Sequence, residues 1–167
     1  PALHEWRELA MRRVQACCIV FMDLDHLKEV NDTYGHQVGD AVLAGAVRYL
    51  GQCLRPYDRV FRYGGDEFLI ALPGADLAIG QTVIKRVREG LAGSPLVAGP
   101  DGLAIHATAS FGLALLDPEV SVADSIERAD QALLLAKTAG RNRAITWDST
   151  VTTGTRLPRL QLEDFKG

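Results

Sequence analysis

Arg62-Tyr63-Gly64-Gly65-Asp66-Glu67-Phe68 lies between two segments suited to strands, Asp58–Tyr63 and Glu67–Leu72. Adjacent glycines between two such runs predict a tight hairpin, because glycine reaches the positive φ that a two-residue turn demands. The turn then carries two acids, Asp66 and Glu67, at its tip. Paired acids on a hairpin are often no more than a polar turn. What separates that reading from a functional one is whether acids elsewhere in the chain are placed to meet them.

Upstream, Cys17–Met22 is a continuous apolar run with β-branched members, which predicts a buried central strand ending in Asp23-Leu24-Asp25. Chemistry collects at strand ends. Asp23 stands too early to cap the next helix and is assigned a functional role, whereas Asp25 is read as the N-cap of a short helix over His26–Tyr34 that Gly35 stops. Apolar residues at helical spacing from Asp40 to Leu54 predict an amphipathic helix; Asp40 falls in its first turn, where the helix dipole alone accounts for an acid. Arg55-Pro56-Tyr57-Asp58 leads into the hairpin.

Downstream, Leu77–Leu91 reads as a helix whose Lys85, Arg86 and Arg88 form a solvated face, and Pro95–Gly102 as a turn region. Ile105–Leu115 alternates as a strand, Val122–Ala139 is a helix capped by Ser121 and stopped by Gly140, and Ala144–Trp147 is a short closing strand. Ala2–Arg13 is helix-like, and the polar tail from Asp148 is read as linker. Strands mixed with helices around an antiparallel hairpin predict an α+β sandwich of the split βαβ type.

The chain has 167 residues, one domain's worth, and its 47% hydrophobic content is enough for a core. A formal net charge of −3 gives no basic footprint for a nucleic-acid polymer, although a local Lys and Arg cluster can still hold a small anion. Cys17, Cys18 and Cys53 lack metal-ligand spacing and are expected to be small buried apolar residues in a reducing compartment. With no signal peptide and no run of about 18 apolar residues, a cytoplasmic piece without membrane contact of its own is expected. From its start at Pro1 it is expected to be a fragment of a longer protein, with residues 1–147 as the domain and residues 148–167 as the tail.

If the strand ending in Asp23 neighbours the hairpin, the carboxylates of Asp23, Asp66 and Glu67 converge. Like charges that close resist ionising together unless a cation sits among them. Oxygen ligands without His or Cys suit Mg²⁺ or Mn²⁺, and such a site serves phosphoryl or nucleotidyl transfer. Lys137 and Arg141 stand four apart at the end of the last helix and project on one side. They either complement that helix C-terminus or meet the phosphates of a bound nucleotide.

Together these residues resemble the GGDEF domain of bacterial diguanylate cyclases. The resemblance rests on Asp23-Leu24-Asp25-His26-Leu27-Lys28-Glu29-Val30-Asn31-Asp32-Thr33-Tyr34-Gly35-His36, on Gly39-Asp40, on Arg62 through Phe68, on Ser110-Phe111-Gly112, and on Ala129-Asp130-Gln131-Ala132 through Ala136-Lys137 to Gly140-Arg141-Asn142-Arg143. It covers nearly the whole stretch from Cys17 to Trp147. Leu27 stands where Phe is usual and Leu134 where Tyr is usual, and the family's Asp-x-Leu-Thr-Gly-Leu-x-Asn-Arg-Arg segment does not precede it.

The resemblance implies a ferredoxin-like, palm-type sandwich similar to adenylyl cyclase, with a mixed, mostly antiparallel sheet and helices on its faces. It implies condensation of two GTP into cyclic di-GMP and two pyrophosphates by a homodimer. Asp23 with Asp66 or Glu67, helped by the carbonyl of Leu24, would hold Mg²⁺ or Mn²⁺, and one of the two turn acids would activate the 3′-hydroxyl. Asn31 and Asp40 would read guanine. Lys28, Lys137 and Arg141 would contact phosphates, and Gly64 and Gly65 would let the backbone approach the nucleotide. Arg55 and Asp58 match the family's RxxD product-inhibition motif, with Arg86 as a second arginine; without that position they would read as a surface ion pair. The alternative is a catalytically silent receptor that binds cyclic di-GMP through Arg55 and Asp58.

Overall fold

The computed structural model describes residues 16–148. The helix expected over Ala2–Arg13 and the tail beyond Asp148 lie outside them. Strand β1 (Cys17–Leu24) is buried along its whole length. A strand with no polar alternation has to be covered on both faces, and it occupies the centre of a five-stranded sheet of order β2-β3-β1-β6-β7. Around it stand β2 (Arg59–Arg62), β3 (Glu67–Pro73), β6 (Ala109–Leu115) and β7 (Ala144–Thr146). β3 and β6 flank β1 antiparallel, and β7 alone runs parallel, beside β6. The mixed, mostly antiparallel α+β sheet is thus the expected one.

Side chains alternate along β1 and feed two cores. Cys18, Val20, Met22 and Leu24 pack beneath α1 (Leu27–Tyr34), α2 (His36–Cys53) and α3 (Leu77–Gly93). Cys17, Ile19 and Phe21 pack with Ile126, Ala129 and Leu133 of α4 (Val122–Thr138). Period 2 carries Asp23 onto the α4 face, the placement on which the site depends. Burying Phe21, Phe68 and Phe111 contributes roughly 1.5–3 kcal/mol apiece. Gly112 lets α4 sit directly on β6, since a Cβ there would run into the backbone of Ala129 and Leu133.

Several boundaries differ from expectation. Helix α2 starts at His36, four residues earlier than its apolar pattern suggests, so Asp40 is past the first turn and the dipole does not account for it. Ile105–Leu115 is broken: β5 (Ala104–Ile105) pairs with β4 (Val97–Ala98) in a separate two-stranded ribbon, and β6 begins at Ala109. Asp76 and Ser121 cap α3 and α4 by accepting from the N–H of Ile79 and of Asp124 at 2.8 and 3.0 Å. Cys17 and Cys18 are interior as expected, and desolvation pushes their thiols up to about 11 and about 12, whereas Cys53 is only half-buried.

Candidate active site

Asp23 faces Glu67 across β1/β3 and Ser110 across β1/β6, and the Leu24 N–H donates to the Asp66 carbonyl at 3.2 Å. The strand end and the acidic turn are therefore hydrogen-bonded neighbours. The Asp66 carboxyl is near enough to Asp23 to disfavour its ionisation. Glu67 turns back over the turn, its Oε2 3.4 Å from where a Cβ on Gly64 would stand. Asp23 is 4% exposed, its Oδ1 has no hydrogen-bond partner, and Lys137 from α4 pairs with its Oδ2. Desolvation pushes the Asp23 carboxyl up to about 7, against the pull of Lys137 and with a further push from Asp66.

An orphaned buried carboxylate oxygen beside a second carboxylate fits a divalent cation. Among the described residues no three His, Cys, Asp or Glu side chains form a complete cage.

The turn itself is not the expected two-residue hairpin. Tyr63 through Asp66 separate β2 from β3, and neither Gly64 nor Gly65 has a positive φ. Arg62 donates to the carbonyls of Gly64 and Gly65 at 3.3 and 2.9 Å, folding the loop over its own guanidinium. Around Gly65 a Cβ would meet nothing within 4 Å, so the backbone there is open to a close-lying ligand.

Asp25 is not a cap. His26 holds the cap position of α1 at φ 59° and makes no capping bond. Instead Asp25 accepts from the hydroxyls of Thr108 and Ser110 at 2.6 and 2.7 Å and from the N–H of Asn142 at 3.0 Å. It pins the end of β1 to β6 and to the segment after α4. There Gly140, Arg141 and Asn142 take φ of 120°, 61° and 44° in succession. The Arg141 N–H closes on the Ala136 carbonyl at 3.0 Å in a Schellman-type end.

Of the residues expected to face a nucleotide, Lys137 meets the rim through its pair with Asp23. Asn31 leans against Gly39, where any Cβ would collide with its Oδ1, so the glycine holds Asn31 beside Asp40, which is exposed. Lys28 is exposed on α1. Lys137 turns inward to Asp23, whereas Arg141 lies past the helix end, exposed and within electrostatic reach of Glu29. Glu29 is held below its usual range by its own backbone N–H and by His26, with Arg141 adding a smaller pull.

Arg55 and Asp58 form the ion pair that spacing alone suggested. Arg55 Nη2 reaches Asp58 Oδ1 at 2.8 Å and the Pro73 carbonyl at 3.0 Å, and Nη1 reaches the Tyr57 hydroxyl at 3.0 Å. The Asp58 side chain is 2% exposed and that of Arg55 38%, so the acid is buried while the arginine, held by Asp58, Pro73 and Tyr57, stays partly accessible. Arg86 donates to the Cys53 carbonyl at 3.3 Å, just ahead of that turn.

Residues 2–143 match the family described as the diguanylate cyclase GGDEF domain. The chain is 37% identical over 126 residues to diguanylate cyclase A of Treponema denticola, covering 75% of this chain and 33% of that protein. It is 39% identical over 126 residues to the probable diguanylate cyclase DgcC of Escherichia coli K12, with the same coverage. The chain thus spans about a third of the length of these relatives. Among solved structures, the GGDEF domain of DgcB from Caulobacter crescentus, in complex with c-di-GMP, superposes with a TM-score of 0.81 at 30% identity, over 87% of this chain and 85% of that one.

Proposed function

This chain belongs to the GGDEF domain family of diguanylate cyclases, and from that premise we propose that it condenses two GTP into cyclic di-GMP and two pyrophosphates at the Asp23 rim. The observation that carries the reading is Asp23 itself, a buried carboxylate with one unpartnered oxygen, a lysine on the other and the half-buried Asp66 close enough to push its pKa up.

Asp23, Asp66 and the Leu24 carbonyl are the groups that hold a divalent ion, Mg²⁺ or Mn²⁺, with Glu67 beside them. Such an ion neutralises phosphate oxygens and lowers the pKa of the attacking hydroxyl. Asp66 and Glu67 are the proton acceptors at hand for the 3′-hydroxyl. Asp40 accepts from N1 and N2 of guanine and Asn31 meets O6, a pairing that leaves adenine with unmatched polar groups. Lys28, Lys137 and Arg141 contact the phosphates, and Lys137 exchanges Asp23 for the nucleotide as it does so.

One domain binds one GTP, and each product needs two in-line attacks, so two copies face each other across a two-fold axis. Arg55 and Arg86, with Asp58 orienting Arg55, form the product-inhibitory site, where the partly exposed Arg55 guanidinium would give up its Tyr57 and Pro73 contacts to meet the O6 and N7 acceptors of guanine. The test is product formation from GTP followed over a hundredfold range of protein concentration. A rate per chain that rises with concentration, and that is abolished in Asp66→Ala/Glu67→Ala, is expected. A constant rate per chain rejects the paired mechanism; cyclic di-GMP binding without turnover in the unaltered chain identifies a receptor instead.

A further inference from the structure

A cleft of about 470 Å³ opens between α3 and the segment that enters β7. One wall is Gln81, Lys85 and Arg88, a single stripe of α3; the other is Asn142, Arg143 and Thr146. The basic residues of α3 are thus not merely a solvated face. No acid lines the cleft. Gln81 closes one end by donating to the Thr146 hydroxyl at 2.8 Å. Arg88 is set by the Asn142 carbonyl at 3.3 Å, and Arg143 by the Arg141 carbonyl at 3.0 Å. Glu89 stands beside the two α3 cations at long range, 4.0 Å from Lys85 and 3.7 Å from Arg88, pairs that an incoming anion displaces at little cost. The Lys85 side chain is 70% exposed.

We propose that this cleft binds a small molecule carrying two or more phosphoryl groups, at a site separate from both the Asp23 rim and the Arg55 turn. Cations converge from two walls, two of them arginines, whose planar forks match phosphate oxygens. Its volume falls within the range of about 300–1,000 Å³ usual for small-ligand sites. A nucleic-acid polymer needs a longer basic track than three residues on a chain of net charge −3 supply. The proposal does not depend on the cyclase reading, because the ligand is held without a divalent ion.

Inorganic pyrophosphate, titrated into the ¹⁵N-labelled chain in chelator-treated buffer, tests it. Amide shifts at Gln81, Lys85, Arg88, Arg143 and Thr146 are expected, with affinity falling as salt rises. Lys85→Ala/Arg143→Ala should bind at least about tenfold more weakly, the loss that goes with charge-assisted hydrogen bonds, while its thermal midpoint stays put. Shifts confined to Lys28, Lys137 and Arg141, no shifts at all, or equal affinity in the double variant overturn the proposal.

Discussion

Replacing Asp23 by Asn tests the electrostatics of the rim without nucleotide. The folded-state value of about 7 lies above the ordinary 3.8, so the folded chain keeps a proton that the unfolded chain has released. Stability from this group is whole below about pH 4, is lost as pH rises towards 7, and is flat beyond. The displacement of roughly three units corresponds to roughly 4 kcal/mol at about 1.36 kcal/mol per unit. Lys137, 22% exposed, admits water to the pair, so about 2–4 kcal/mol is the reasonable range. Urea unfolding of the unaltered chain and of Asp23→Asn, in chelator and between about pH 4.5 and about pH 8, isolates the effect as a difference. The variant should gain on the parent by that amount as pH rises. A difference independent of pH, or one of opposite sign, refutes the reasoning, because it would mean that Lys137 outweighs desolvation and holds Asp23 ionised.

Asp25→Ala leaves two hydroxyls and one N–H without their shared acceptor and should cost about 2–4 kcal/mol by chemical denaturation, with Asp25→Asn milder. Gly112→Ala forces α4 off the sheet where backbone, not a flexible side chain, is in the way; a loss of about 3 kcal/mol is expected in thermal or urea melts. Gly39→Ala displaces Asn31, and calorimetry should show GTP affinity falling towards that for ATP while the thermal midpoint moves little.

Periodicity was enough to place β1, α3, α4 and the hairpin strands, because each has one strongly apolar face or two. It could not place the break between β5 and β6, since alternation runs on from Ile105 to Leu115 while the pairing partner changes from Val97 to β1. The burial of Asp23 was legible because it continues an apolar run at the end of a central strand. Asp25 was misread because a local role as a cap lay ready to hand, whereas its true partners are 83, 85 and 117 residues away. Arg62 was quoted with the turn but carries no pattern showing that it folds back on Gly64 and Gly65. The cleft beside α3 was hidden because half of its wall comes from residues 142–146, whose approach only the parallel β6/β7 pairing establishes.

A buried carboxyl that carries its own lysine partner has thermodynamic consequences. If the proposed metal and nucleotide share this rim, then above about pH 7, where Asp23 is ionised and paired with Lys137, a divalent ion alone would gain little by entering and a nucleotide alone would have to draw the lysine away from a buried negative charge. Arriving together, each would relieve the other's difficulty, because the triphosphate would receive the ammonium and the metal the carboxylate. By reciprocity each must tighten the other's binding by the same factor.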